Sequence, residues 1–167
     1  MNPEKFVVEL KELRCVSDWH RRYYAEQARR YNRIDYWVRS LLGVAALIGA
    51  VMSGIPESRI LGAILAGGCA FIMANILPIF KWEARVSGFN EAENEWMRIF
   101  KGYEDVLSFY EISDRGEILV QEFQRVKEMQ KAAAFSDKRL PVNERLLRQK
   151  EQETRDYYSA AEPAKSV

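Results

Sequence analysis

The distribution of charge along the chain constrains its fold more than any other feature. No residue from Ser40 to Pro56 is charged, and none from Ile60 to Phe80. Every other charged side chain, Glu57 and Arg59 excepted, lies outside the segment bounded by these runs. The average composition hides this: 48% of the 167 residues are hydrophobic, as in an ordinary soluble domain. A net charge of +1 also argues against nucleic acid as a partner, since bulk positive charge carries that kind of binding.

The second run, Ile60–Phe80, would extend about 31 Å as a helix, close to the ~30 Å hydrocarbon core of a bilayer. Leu, Ile and Phe dominate it and favour insertion. The first run is shorter, and Trp37 and Val38 extend it, with Arg39 able to snorkel to the headgroups. Tyr31, Tyr36, Trp37 and Trp82 stand where interfacial aromatics stand. The competing reading is two helices in a soluble core. A chain this small has too few other apolar residues to cover two helices that are apolar on every face.

The fold class expected is therefore an all-α membrane protein. An amphipathic N-terminal helix spans 1–36, and transmembrane helices span 37–56 and 60–80. A cytoplasmic helical arm follows at 81–135, then a charged helix at 136–158 and a disordered tail at 159–167. The connector Pro56-Glu57-Ser58-Arg59 is short enough to make the two spans antiparallel neighbours. Arg21, Arg22, Arg29, Arg30, Arg33 and Arg39 precede the first span, and Lys81 and Arg85 follow the second. The connector holds only Arg59, so both termini face the cytoplasm of a cell (inner) membrane that the chain crosses twice. The charged amphipathic start does not resemble a signal peptide.

Small residues recur at four-residue spacing. Ala46, Ala50 and Gly54 form one stripe, and Gly62, Ala66, Ala70 and Ala74 form another. Such stripes let helices approach closely in lipid, either within the hairpin or on another subunit. Asn75 bonds a neighbouring helix or faces a pore, and Pro78 kinks or ends the span. Arg29, Arg30, Arg33 and Arg39 suit anionic headgroups and topology setting better than a nucleotide, because no base pocket accompanies them.

The arms carry heptad-like seams. Phe6, Leu10, Leu13, His20, Tyr24, Tyr31, Ile34 and Val38 form the first, with Ser17 and Gln27 as polar members. Asn2 suits a helix cap and Pro3 the first helical position. The second seam is Trp82, Val86, Phe89, Trp96, Phe100, Tyr103, Leu107 and Tyr110, interrupted by Glu93. Ser113, Asp114 and Gly116 predict a break, and Leu119, Phe123 and Val126 a further helix. Pro141 marks another break, and Asn143 a cap for the last helix. Bulky aromatics at seam positions favour a bundle over a two-stranded coiled coil.

Chemistry is sparse. His20 is the one histidine, and it reads as a packing residue. Cys15 and Cys69 are far apart, with no Cys-x-x-Cys motif. Glu91 and Glu95 read as a solvated helix face. No phosphate-cradling Gly-rich loop or nucleophile elbow is present. The expectation is a non-enzyme with no cofactor, no metal and no catalytic residue.

The order of these pieces resembles a known family. A helix carrying Arg30-Tyr31-Asn32-Arg33-Ile34-Asp35-Tyr36-Trp37 leads into two close-spaced spans. A helical arm follows, from Trp82-Glu83-Ala84-Arg85-Val86-Ser87-Gly88-Phe89 to Tyr103-Glu104-Asp105-Val106-Leu107. This layout is similar to the SLATT family of two-span effectors in prokaryotic conflict systems. The resemblance implies an antiviral defence effector, a homo-oligomer that forms pores or disrupts the bilayer. Its trigger would come from a separate signalling or sensor protein, often one that makes or senses nucleotides. A membrane-anchored scaffold that recruits partners through its arms is the alternative.

Overall fold

The computed structural model describes residues 3–112 and 116–161, and every element among them is helical. Asn2, Ser113, Asp114 and the end of the expected tail lie outside those residues. Helix α1 runs Pro3–Ser53, α2 Arg59–Phe71, α3 Trp82–Ile112, α4 Gly116–Ser136 and α5 Glu144–Ala161. The chain divides into two compact units, one from residues up to Gln27 and from Gly88 onward, the other Ala28–Ser87.

Several expected boundaries move. The N-terminal helix and the first span, bounded separately at 1–36 and 37–56, form one helix from Pro3 to Ser53, as the seam running from Pro3 toward the first span suggests. Nothing between Pro3 and Ser53 breaks a helix, since no proline or glycine occurs before Gly43. Within the expected arm, α3 ends at Ile112 and α4 begins at Gly116, and Leu119, Phe123 and Val126 lie on the further helix expected there. The last helix starts at Glu144 rather than 136, and Ser159–Ala161 continue it instead of opening a tail.

The first unit is a bundle with an aromatic core. Phe6 meets Phe123 edge-on at 5.0 Å and lies 5.8 Å from Tyr110, which joins α1 to α4 and α3. On α3, Phe89, Ala92, Trp96, Ile99, Tyr103 and Val106 are buried. The expected seam shares Phe89, Trp96 and Tyr103 with this set; Phe100, Leu107 and Tyr110 are half-buried, and Trp82 and Val86 belong to the other unit. A helix inside a bundle buries a broad face, so the seam marked one edge of it and missed Ala92, Ile99 and Val106. Gly102 brings α3 close to α4, because a Cβ there would stand 2.8 Å from a Val126 methyl.

Several polar groups in this core pair with one another or with the backbone. Ser17 Oγ donates to the Leu13 carbonyl at 2.8 Å, and Gln27 Nε2 donates to the Tyr23 hydroxyl at 3.1 Å. That hydroxyl also accepts the Asn143 backbone N–H at 2.9 Å. Asn143 Oδ1 accepts the Leu146 N–H at 3.1 Å, the N-cap its position predicts. Leu140 is extended at φ −91° and ψ 143°, as a residue before proline must be.

His20 lies between two indoles, 3.6 Å from Trp19 and 4.0 Å from Trp96 by ring centroids. Its Nδ1 lies 3.0 Å from the Val16 carbonyl, to which the Nδ1–H tautomer donates. Burial lowers its pKa to about 4, so the ring is neutral at pH 7. Trp96 Nε1 donates to Asp137 Oδ2 at 2.7 Å, while burial raises the pKa of that carboxyl. Among the described residues Asp18 is the most deeply enclosed carboxylate, at 1% exposure. Arg21 and Arg22 pair with it at 2.6 and 2.8 Å, and the Tyr158 hydroxyl donates to it at 3.3 Å. Burial, then the Asp18 charge, pushes the Tyr158 phenol up to about 12.

Candidate membrane-interaction site

Within the unit Ala28–Ser87, the backbones of α1 and α2 meet without side chains between them. A Cβ on Gly62 would stand 2.3 Å from the Ser53 nitrogen and 2.6 Å from the Gly49 carbonyl oxygen. A Cβ on Gly49 would stand 2.6 Å from the Ala66 nitrogen. Both positions therefore require glycine. Gly62 was singled out from sequence, whereas Gly49 was missed because it lies off the Ala46–Ala50–Gly54 stripe.

The inward face of α2 is Gly62, Ala66 and Cys69, continued by Met73 in the turn that follows, with spacings of four, three and four. The expected stripe kept a strict spacing of four, so beyond Ala66 it rotates away, and Ala70 and Ala74 are exposed. A 3.6-residue helix drifts off any strict four-residue repeat within two turns. Ala46 lies partly covered, but Ala50 and Gly54 are exposed for the same reason. Cys15 and Cys69 are both free thiols.

The end of α1 satisfies its own carbonyls, as an apolar environment demands. Ser53 Oγ donates to Ala50 at 2.7 Å, Gly54 N–H to Val51 at 3.1 Å, and Ser58 Oγ to Met52 at 3.0 Å. Pro56–Ser58 forms a short 3-10 turn into α2.

The second apolar stretch is not one regular helix. After Phe71 it widens into a π turn over Ile72–Ile76 and then tightens into a 3-10 turn over Leu77–Phe80. Pro78 has no N–H and cannot continue the α ladder, which accounts for the change of pitch. Within the chain, the exposed Asn75 side chain bonds its own helical stretch. Its Nδ2 donates to the Phe71 carbonyl of its own helix at 3.1 Å. Lys81 ends the stretch in the left-handed region at φ 50°.

Most of the apolar surface here is uncovered. Of the most apolar window in each long helical stretch, 6% is buried for the first and 17% for the second. A soluble core helix would be mostly buried, so among the described residues this chain does not supply that core. Leu41, Val44, Leu47, Ile48 and Val51 of α1 and Ile60, Leu61, Ile64 and Phe71 of α2 are exposed. Both stretches are long and apolar enough to cross a membrane.

Charged and aromatic residues edge this surface. Arg39 pairs with Asp35 and with Glu83, each at 2.8 Å, tying α1 to the start of α3. Arg85 lies over the Tyr31 ring at 5.8 Å. Phe80 stacks on Trp82 at 5.3 Å, and Tyr36 meets Trp37 edge-on at 6.1 Å. Arg29, Arg30 and Arg33 are exposed. Arg39 thus differs from Arg29 and Arg33, since its charge is answered within the unit.

No metal-binding cluster of His, Cys, Asp and Glu occurs among the described residues. Against known proteins, no family profile, no curated protein and no solved structure matches this chain.

Proposed function

We propose that this chain is an oligomeric membrane effector whose paired apolar helices form a pore or disrupt the bilayer when its water-exposed helices are triggered. The resemblance in layout to the SLATT family supports a role in prokaryotic defence, with a separate sensor or nucleotide signal as trigger. In this reading the chain crosses the inner membrane twice, and both termini lie in the cytoplasm.

The observation that carries the oligomer is the outer flank of α2. Ala63, Gly67 and Ala70 lie along it and Ala74 continues it into the π turn, at spacings of four, three and four, and all are exposed. A Cβ on Gly67 would meet nothing within 4 Å. Glycine within a helix costs about 1 kcal/mol relative to alanine. Packing within the chain explains that cost at Gly49 and Gly62 but not at Gly67. A second copy approaching this flank would use it, as small residues do in lipid. Two spans cannot enclose a water path, so a pore needs several copies. With no charge in either span, such a pore is closed at rest by dewetting.

The scaffold reading draws on exposed apolar residues of the other unit, Val8, Phe109 and Val142. Dye and ion leakage from liposomes holding the purified protein separates the two. Leakage that rises when the cognate trigger is added supports the effector. A tight bilayer under every trigger, with partner capture intact, supports the scaffold.

A further inference from the structure

We infer that the outward face of α1 carries a headgroup site for anionic phospholipid, centred on Arg29 and Arg33. The inference rests on the membrane reading above and adds the chemical class of the lipid. Arg29, Arg33, Trp37, Leu41, Val44, Ile48 and Val51 follow one another at spacings of four and three, and all are exposed. They form one broad exposed face of a single helix, which winds by about 120° from Arg29 to Leu41. Its lower part is the apolar surface that the membrane reading gives to acyl chains, and its upper part is cationic.

The phase of this face distinguishes these arginines from their neighbours. Residues on the opposite side of α1, such as Asp35, Leu42 and Gly49, are covered to some degree. Arg39 lies off this face and pairs with Asp35 and Glu83. Arg29 and Arg33 make no ion pair among the described residues. Arg33 stands ~6 Å along the helix axis from Trp37, and Arg29 ~12 Å, at 1.5 Å per residue. Indole rings settle at headgroup depth, so this spacing sets Arg33 near the lipid phosphates and Arg29 one helical turn further toward water, facing the same anionic surface. A guanidinium offers a planar fork of donors that fits a phosphate's oxygens.

The charge balance points the same way. The unit Ala28–Ser87 holds seven basic and three acidic residues, a net +4, while the rest of the chain carries −3. Bulk positivity is therefore absent from the chain and concentrated beside its apolar surface. A bilayer surface is the occupant because the cationic positions and the exposed apolar positions are parts of one face. A soluble phosphate would have no use for the apolar part.

Tryptophan quenching tests this directly, since Trp37 sits one turn beyond Arg33 on the same face. The full chain is placed in phosphatidylcholine vesicles containing acyl-brominated phosphatidylglycerol, or acyl-brominated phosphatidylcholine at equal mole fraction. The brominated anionic lipid should quench several-fold more effectively, and that preference should shrink as salt rises. Arg29→Gln with Arg33→Gln should abolish the preference while quenching by brominated phosphatidylcholine persists. Arg29→Lys with Arg33→Lys should retain most of it, which excludes misfolding as the cause. Equal quenching by both lipids in the unmodified chain overturns the headgroup site and leaves the membrane reading intact. Absence of quenching by either lipid overturns both. If millimolar glycerol phosphate in the buffer removes the preference, the arginines bind free phosphate and the bilayer assignment fails.

Discussion

His20 shows how one buried side chain makes stability depend on pH. Its pKa in the fold, about 4, lies below the ordinary 6.5. The neutral ring between Trp19 and Trp96 therefore contributes its stabilisation fully above pH 6.5, and loses it as pH falls through about 4. A depression of this size corresponds to at most ~3 kcal/mol. Asp137 acts in the opposite sense. Its raised pKa contributes stability that is present below the unfolded carboxyl value and lost as pH rises through the folded one. Comparing the unmodified protein with His20→Phe cancels the Asp137 contribution. The difference in melting temperature between the two should change from pH 7 to pH 4, with the unmodified protein losing more. Asp18→Asn should cost roughly 2 kcal/mol in denaturant unfolding, because it removes an ionic acceptor shared by Arg21, Arg22 and Tyr158. The two residues were not equally legible in the sequence. A single histidine on an aromatic seam reads directly as a packing residue. Asp18 followed by Arg21 and Arg22 looks like any solvated ion pair, and only the position of Tyr158, 140 residues away, shows it to be enclosed.

At the scale of elements, the apolar stretches separate two kinds of glycine. Gly62→Leu drives a side chain into the Ser53 and Gly49 backbone. Gly67→Leu meets open space within the chain. In detergent, Gly62→Leu should lower the melting temperature by an amount equivalent to about 1–3 kcal/mol. Gly67→Leu should leave the melting temperature within about 0.5 kcal/mol of the original but reduce the oligomeric mass measured by light scattering. Unchanged mass would remove the α2 flank as the subunit contact. Asn75→Leu removes the bond to the Phe71 carbonyl within the π turn. An altered conductance with unchanged assembly is expected if this turn lies along the ion path, and unaltered behaviour if the helices only anchor. Helix existence, the cap at Asn143 and the break at Pro141 were legible because each has a local chemical cause. The inward face of α2 was not. A four-residue repeat of small side chains suggests a straight stripe, whereas contact between paired helices follows alternating steps of four and three.

Across the whole molecule, the segregation of charge governs everything else. Charge-free runs flanked by arginines and aromatics marked the surface that the structure leaves uncovered. The division into two units was less legible, because α1 and α3 each contribute residues to both, and the Ser87-Gly88 pair at one boundary lies inside a continuous helix. Membranes from cells expressing the chain, washed with alkaline carbonate and pelleted, test the central claim that lipid is the solvent for Trp37–Phe80. The account predicts that the chain stays in the pellet and is released only by detergent. Recovery in the carbonate supernatant would contradict it, and would mean that other polypeptide covers these helices.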